Sequence, residues 1–131
     1  MISLCSTIRI LCCWYLLVGL MFASNVAAED EVVEETYDYG SNYKGCFEDN
    51  HSSPDMGADR TRMYEMTLEK CTNWCKGKNT KYMGMQDGDT CSCGDHYGKY
   101  GMSADFDCSV PCEGNVKERC GGISHNAVYS L

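Results

Sequence analysis

Cysteine is the residue whose chemistry stands out in this 131-residue chain, which holds eleven of them. Cys5, Cys12 and Cys13 lie near the start, and the other eight are Cys46, Cys71, Cys75, Cys91, Cys93, Cys108, Cys112 and Cys120. The close pairs Cys71/Cys75 and Cys91/Cys93 offer the four thiolates a zinc site needs. Zinc sites favour two-residue gaps, however, whereas these gaps are three and one. An even set in a short chain that passes through an oxidising route forms a disulfide framework instead. A sulfur committed to a bridge is no longer a nucleophile. His51, His96 and His125 are scattered among polar loop residues, and no pair of acids stands at a spacing that singles out a general acid and base. Asp87-Gly88-Asp89 resembles the start of a calcium loop but lacks the downstream spacing of an EF-hand. The expectation is a protein with no catalytic residues, no metal and no cofactor.

The route is read from the first stretch. Arg9 precedes the apolar run Ile10 to Phe22, and small residues follow, ending in Val26-Ala27-Ala28. That is the layout of a secretory signal peptide over residues 1 to 28, with cleavage after Ala28. The apolar run is shorter than the about 20 residues that span a bilayer. No later segment is apolar enough, so no membrane insertion is expected and the mature protein is expected outside the cell. What then remains is one domain's worth of chain, too small for a generous core, which makes the bridges structurally necessary.

Charge narrows the partners. The chain has 19 acids against 11 bases, and six of the acids crowd into Glu29 to Asp38. Nucleic acid is excluded as an expected partner, because phosphate binding needs a basic patch. Residues 29 to 42 have little to bury and read as an acidic, disordered leader. The domain is placed at 43 to 131.

The elements that position the cysteines follow from local pattern. Tyr43-Lys44-Gly45-Cys46-Phe47 reads as a strand with Tyr43, Gly45 and Phe47 on one face, leading into the turn-rich Glu48 to Asp59. Asn50-His51-Ser52 in that turn region is a glycosylation sequon, making Asn50 the candidate acceptor. Thr67 is placed to cap a helix over Leu68 to Lys76, with Glu69 in its first turn and Gly77 ending it. Leu68, Cys71, Trp74 and Cys75 then share one face. Tyr82 to Gln86 and Asp89 to Cys93 flank Asp87-Gly88, a hairpin turn signal. Cys91 and Cys93 project from one strand face. The rise between Cys71 and Cys75 on a helix, about 6 Å, nearly matches the about 6.6 Å between Cys91 and Cys93 on a strand. Two bridges side by side are expected, in either of two orders. Cys112 and Cys120 close a short loop, which leaves Cys46 for Cys108.

In this order the residues resemble the WSC domain family, cysteine-rich modules of fungal cell-wall stress sensors, glucan-degrading enzymes and animal extracellular proteins. The resemblance runs through Tyr43-Lys44-Gly45-Cys46-Phe47, Met66-Thr67-Leu68-Glu69-Lys70-Cys71 and Trp74-Cys75. It continues through Tyr82-Met83-Gly84, Cys91-Ser92-Cys93-Gly94, Cys108, Cys112-Glu113-Gly114-Asn115, Cys120-Gly121-Gly122 and Val128-Tyr129. It implies a small disulfide-rich PAN/apple-like α+β domain, an antiparallel sheet crossed by one helix. It also implies four disulfides, Cys46–Cys108, Cys71–Cys91, Cys75–Cys93 and Cys112–Cys120. The stalk and membrane segment of the fungal sensors are missing, so binding rather than transmembrane sensing is the role implied.

That role would be the binding of extracellular carbohydrate, a polysaccharide or glycoprotein glycans. Sugar binding rests on aromatic faces flanked by amides and carboxylates. Tyr43, Phe47, Trp74, Tyr82 and Tyr129 read as core. Tyr97 and Tyr100, in the glycine-rich loop Gly94 to Gly101, are the better candidates, with Asp95, His96 and Lys99 as polar neighbours. The competing expectation is a structural or interaction component of an extracellular matrix, biomineral-associated through its acidic leader.

Overall fold

The computed structural model describes residues 39–131. The expected signal sequence and most of the acidic leader lie outside the described residues. The elements are β1 (Tyr43–Glu48), β2 (Arg60–Arg62), α1 (Leu68–Gly77), β3 (Tyr82–Gln86), β4 (Thr90–Gly94), β5 (Met102–Ser103), a 3-10 turn (Asp105–Cys108), β6 (Pro111–Cys112), β7 (Asn115–Arg119) and β8 (His125–Ser130). Six strands form one antiparallel sheet in the order β2-β4-β3-β8-β1-β5, and β6 and β7 form a separate hairpin. This is the small disulfide-rich α+β fold, one helix on an antiparallel sheet with four disulfides, that the sequence leads one to expect.

α1 starts where Thr67 is extended and its hydroxyl accepts from the Lys70 amide at 3.2 Å. Its end differs from expectation. Gly77 is the last helical residue, and the reversal is made two residues later by Asn79 at φ 58°. Asparagine tolerates that conformation, so the glycine is not needed as a stop. A Cβ at Gly77 would meet nothing within 4 Å. Gly77→Ala is therefore expected to stabilise the domain by about 0.5–1 kcal/mol, seen as a raised urea midpoint with unchanged slope.

Each face of the sheet has its own core. Cys46, Met83, Met85, Cys91, Cys93, Ala127 and Tyr129 face α1 in the main cluster. The bridges Cys71–Cys91 and Cys75–Cys93 pin the helix to β4, the order that has α1 running alongside β4 in the same direction. Phe47, Met56 and Val128 form a second cluster on the opposite face, with Tyr82 and Tyr97 packed against it. Tyr43 and Phe47 thus lie on opposite faces, contrary to simple alternation. The pairing of β1 with β8 shifts register between Tyr43 and Gly45, and such a bulge turns the following side chains over.

Residues 39–42, expected to belong to the unstructured leader, are tied to the domain. Tyr39 stacks on Tyr43 at 4.2 Å between ring centroids, and its hydroxyl donates to the Asp105 carbonyl at 3.1 Å. The Asn42 carbonyl accepts from the Ser130 amide at 2.9 Å. The aromatic ring gives this end of the acidic stretch something to bury.

The Tyr43 hydroxyl donates to Asp105 Oδ1 at 2.8 Å. Burial first, then Asp105, push its phenol well above the ordinary tyrosine value, and burial does the same for Tyr129. Both stay neutral in the folded domain at a pH where the unfolded chain ionises. Their contribution is therefore complete below about pH 10 and declines as pH rises beyond it. In an ultraviolet titration two phenols are expected to ionise only as the chain unfolds. Ionisation of every tyrosine near the ordinary value, with the fold intact, would contradict this.

Candidate functional site

The second face of the sheet carries two loops, 49–59 and 94–101, locked together by short-range chemistry. Met56 is the anchor, 5% exposed. Its backbone lies so close to β4 that a Cβ at Gly94 would stand 2.5 Å from the Met56 carbonyl oxygen. The buried Asp49 holds the same loop from within. Its Oδ1 accepts from the Asp55 amide at 2.7 Å and its Oδ2 pairs with Arg60 Nη1 at 2.9 Å. Arg60 Nη2 donates in turn to Gln86 Oε1.

Asp55 then ties one loop to the other. Its two carboxylate oxygens accept from the Gly98 and Lys99 amides at 2.7 and 2.6 Å. Lys99 Nζ donates to Ser53 Oγ at 2.6 Å and lies 4.9 Å from the centre of the Tyr100 ring. The Tyr100 hydroxyl donates to the Ser53 carbonyl at 2.7 Å. Charge-assisted bonds of this kind hold a surface in one shape before any ligand arrives.

Asp95 and His96 are exposed, and with Asp55, Met56, Asp59 and Thr80 they line an open groove of about 450 Å3. Asp95 Oδ1 accepts from the Lys81 amide at 3.2 Å, which aims the carboxylate. Tyr97 is half-buried, edge-on to Phe47 and Tyr82 at 4.8 and 4.7 Å. Its ring packs against both and supports the loop from below. Tyr100 is half-buried beside Lys99. Of the five expected residues, Asp95 and His96 line the groove, Lys99 and Tyr100 are tied to Ser53 outside it, and Tyr97 packs beneath the loop.

Two groups of residues escape a reading by sequence. Ser53, Asp55, Met56 and Asp59 complete the surface from a segment legible only as turn-rich, Asp55 taking two backbone amides and Ser53 the Lys99 ammonium and the Tyr100 hydroxyl. Tyr64 and Phe106, 85% and 80% exposed, are the open aromatic rings among the described residues. Phe106 stands between Asp105 and Asp107, and that acidic flanking is the signal that could have placed it at the surface.

The sulfurs of Cys71, Cys75 and Cys91 lie within 4.8 Å of one another because two bridges run side by side. A disulfide sulfur has no thiolate to give a metal, so the cluster is not a zinc site while oxidised. Cys46–Cys108 and Cys112–Cys120 complete the framework. His125 Nδ1 is 2.7 Å from the Ile123 carbonyl, and His51 is exposed. No helix among the described residues is long and apolar enough to cross a membrane.

The model of the WSC domain matches residues 43–122, more than half of the chain and all eight bridged cysteines. The chain belongs to the WSC domain family. The matched span ends before β8, although β8 lies between β3 and β1 and pairs with both. The WSC region is similar to Kremen protein 1 of Homo sapiens, 31% identical over 80 residues that make up 60% of this chain and 17% of that protein. It is similar also to a WSC domain-containing protein of Arthroderma benhamiae, 31% identical over 88 residues, 66% of this chain and 12% of that one. A protein of Chaetomium globosum named as a putative fungistatic metabolite is 28% identical over 90 residues, 66% of this chain and 40% of its own. The chain spans less than half the length of each of these relatives.

Proposed function

We propose that this WSC protein is a secreted, noncatalytic binder of extracellular carbohydrate, a polysaccharide or the glycans of glycoproteins. The observation that carries the reading is the groove between residues 55–59 and 94–96, rigid because Asp55 clamps the Gly98 and Lys99 amides. Asp55, Asp59 and Asp95 offer acceptors to sugar hydroxyls, His96 a donor and Met56 an apolar surface, and Lys99 and Tyr100 extend the site along the same loop. The disulfide framework and the WSC kinship fit an extracellular protein. Asn50 is the glycosylation acceptor in this reading. It is exposed, at a tight turn in which its Oδ1 accepts from the Ser52 amide at 2.9 Å.

Pull-down of the secreted chain on insoluble glucan, chitin and mannan-rich matrices tests it. The wild type is expected to be retained, and the His96→Ala/Tyr100→Ala variant to lose about tenfold in affinity. Retention on none of the three matrices would count against the reading, as would retention indifferent to both substitutions.

A further inference from the structure

A second recess, about 240 Å3, is lined by His51, Arg60, Thr61, Arg62, Asp87 and Thr90 and shares no residue with the groove. Residues 43–131 hold ten bases against 13 acids, so a recess carrying two of their three arginines is a local reversal of charge. Arg60 and Arg62 stand two apart on the edge strand β2, opposite Ser92 and Thr90 of β4, and so project from one face.

The two arginines are held differently. The Arg60 side chain is 17% exposed, and its bonds to Asp49 and Gln86 use two of the five guanidinium N–H donors. The Arg62 side chain is 77% exposed, and Asp89 approaches its Nε only to 3.6 Å, beyond hydrogen-bond distance. Three carboxylates balance this charge, and two of them do not line the recess. Asp49 is 1% exposed in its side chain and committed to Arg60, while Asp89 Oδ1 accepts from the Thr90 hydroxyl at 2.7 Å. Asp87 is the one acid at the recess wall.

We infer that this recess binds an acidic sugar, its anionic group taken by Arg62 and His51 and its ring hydroxyls by Asp87 and the remaining Arg60 donors. The planar guanidinium matches the two oxygens of a carboxylate or a sulfate ester. The net negative domain disfavours a general polyanion coat, so recognition is confined to this recess. The inference rests on the carbohydrate-binding reading and names the class of sugar within it.

An amide NMR titration of the secreted chain at constant ionic strength, with glucuronate, glucose 6-sulfate or glucose as the probe, tests it. Either acidic sugar is expected to shift the amides of residues 60–62 and 87–90, with glucose leaving them in place, and the stronger of the two identifies the source of the charge. Arg62→Gln is expected to weaken that binding about tenfold and to leave the melting temperature unchanged, because Arg62 is exposed and loosely paired. Equal response to glucose, or binding indifferent to Arg62→Gln, overturns the inference. If neutral polysaccharide is still retained through the groove, that result leaves the broader reading standing. Recess shifts without groove-dependent retention would do the reverse.

Discussion

Replacing Cys46 and Cys108 together by alanine is expected to destabilise the domain by about 4 kcal/mol, the largest loss for any single bridge. The two residues are 62 apart in sequence, and the entropy a bridge removes from the unfolded chain rises with the logarithm of the loop it closes. The Cys71–Cys91 bridge, nested inside that loop, shortens the free path by its own 20 residues, which changes the logarithm little. Cys112–Cys120, only 8 apart, is expected to contribute about 2.5 kcal/mol on the same basis. Cys71–Cys91 and Cys75–Cys93 close nearly the same loop, so losing either one alone costs about 2 kcal/mol while its neighbour holds the helix. Because a domain of this size shifts about 4–8 °C per kcal/mol, the Cys46/Cys108 variant should melt about 15–30 °C lower. Unfolding under non-reducing conditions checks the ranking. A larger loss from the Cys112/Cys120 variant would show that closure entropy does not govern it.

Gly94→Ala is the second substitution with a large expected effect, and it reaches the site as well as the fold. Its methyl group would stand 2.5 Å from the Met56 carbonyl oxygen and 3.2 Å from the carbonyl carbon. Neither atom belongs to a flexible side chain, so the 55–59 segment must lift from β4. The cost expected is about 1–3 kcal/mol. The lifted segment carries Asp55 away from the Gly98 and Lys99 amides, so glycan retention should fall further than in the His96→Ala/Tyr100→Ala variant. Gly77→Ala is the matched control, since the same methyl group there meets nothing. A Gly94→Ala protein with wild-type stability and retention would mean that this wall of the groove does not depend on the close approach.

The candidate site was legible in part. A glycine-rich loop holding Tyr97, Tyr100, Asp95, His96 and Lys99 stands out because glycines beside tyrosines leave rings without obvious packing. What that pattern lacks is the partner segment. Tyr97 finds Phe47 and Tyr82, which are far away in sequence, and so becomes support. Asp55 reaches amides 43 and 44 residues away, and an amide hydrogen carries no residue-type signal. The recess of Arg60 and Arg62 is hidden for the same reason, because His51 comes to it from another loop.

The sequence alone determined what depends on near neighbours. Thr67 followed by Glu69 starts a helix, Asp87-Gly88 turns a hairpin, and cysteines at helix and strand spacing set two bridges side by side. These rest on backbone geometry within a few residues, which residue type controls directly. Residue spacing left the direction of α1 along β4 open and the family resemblance implied it, whereas only the tertiary structure decided the bulge that parts Tyr43 from Phe47 and the docking of 49–59 onto the second face. Each of those depends on which distant surfaces bury one another, and many local patterns are compatible with more than one such arrangement. The disulfide framework belongs to both levels. Its cysteines are written in local spacing, and its consequence, a rigid support for two loops on the opposite face of the sheet, exists only in the folded chain.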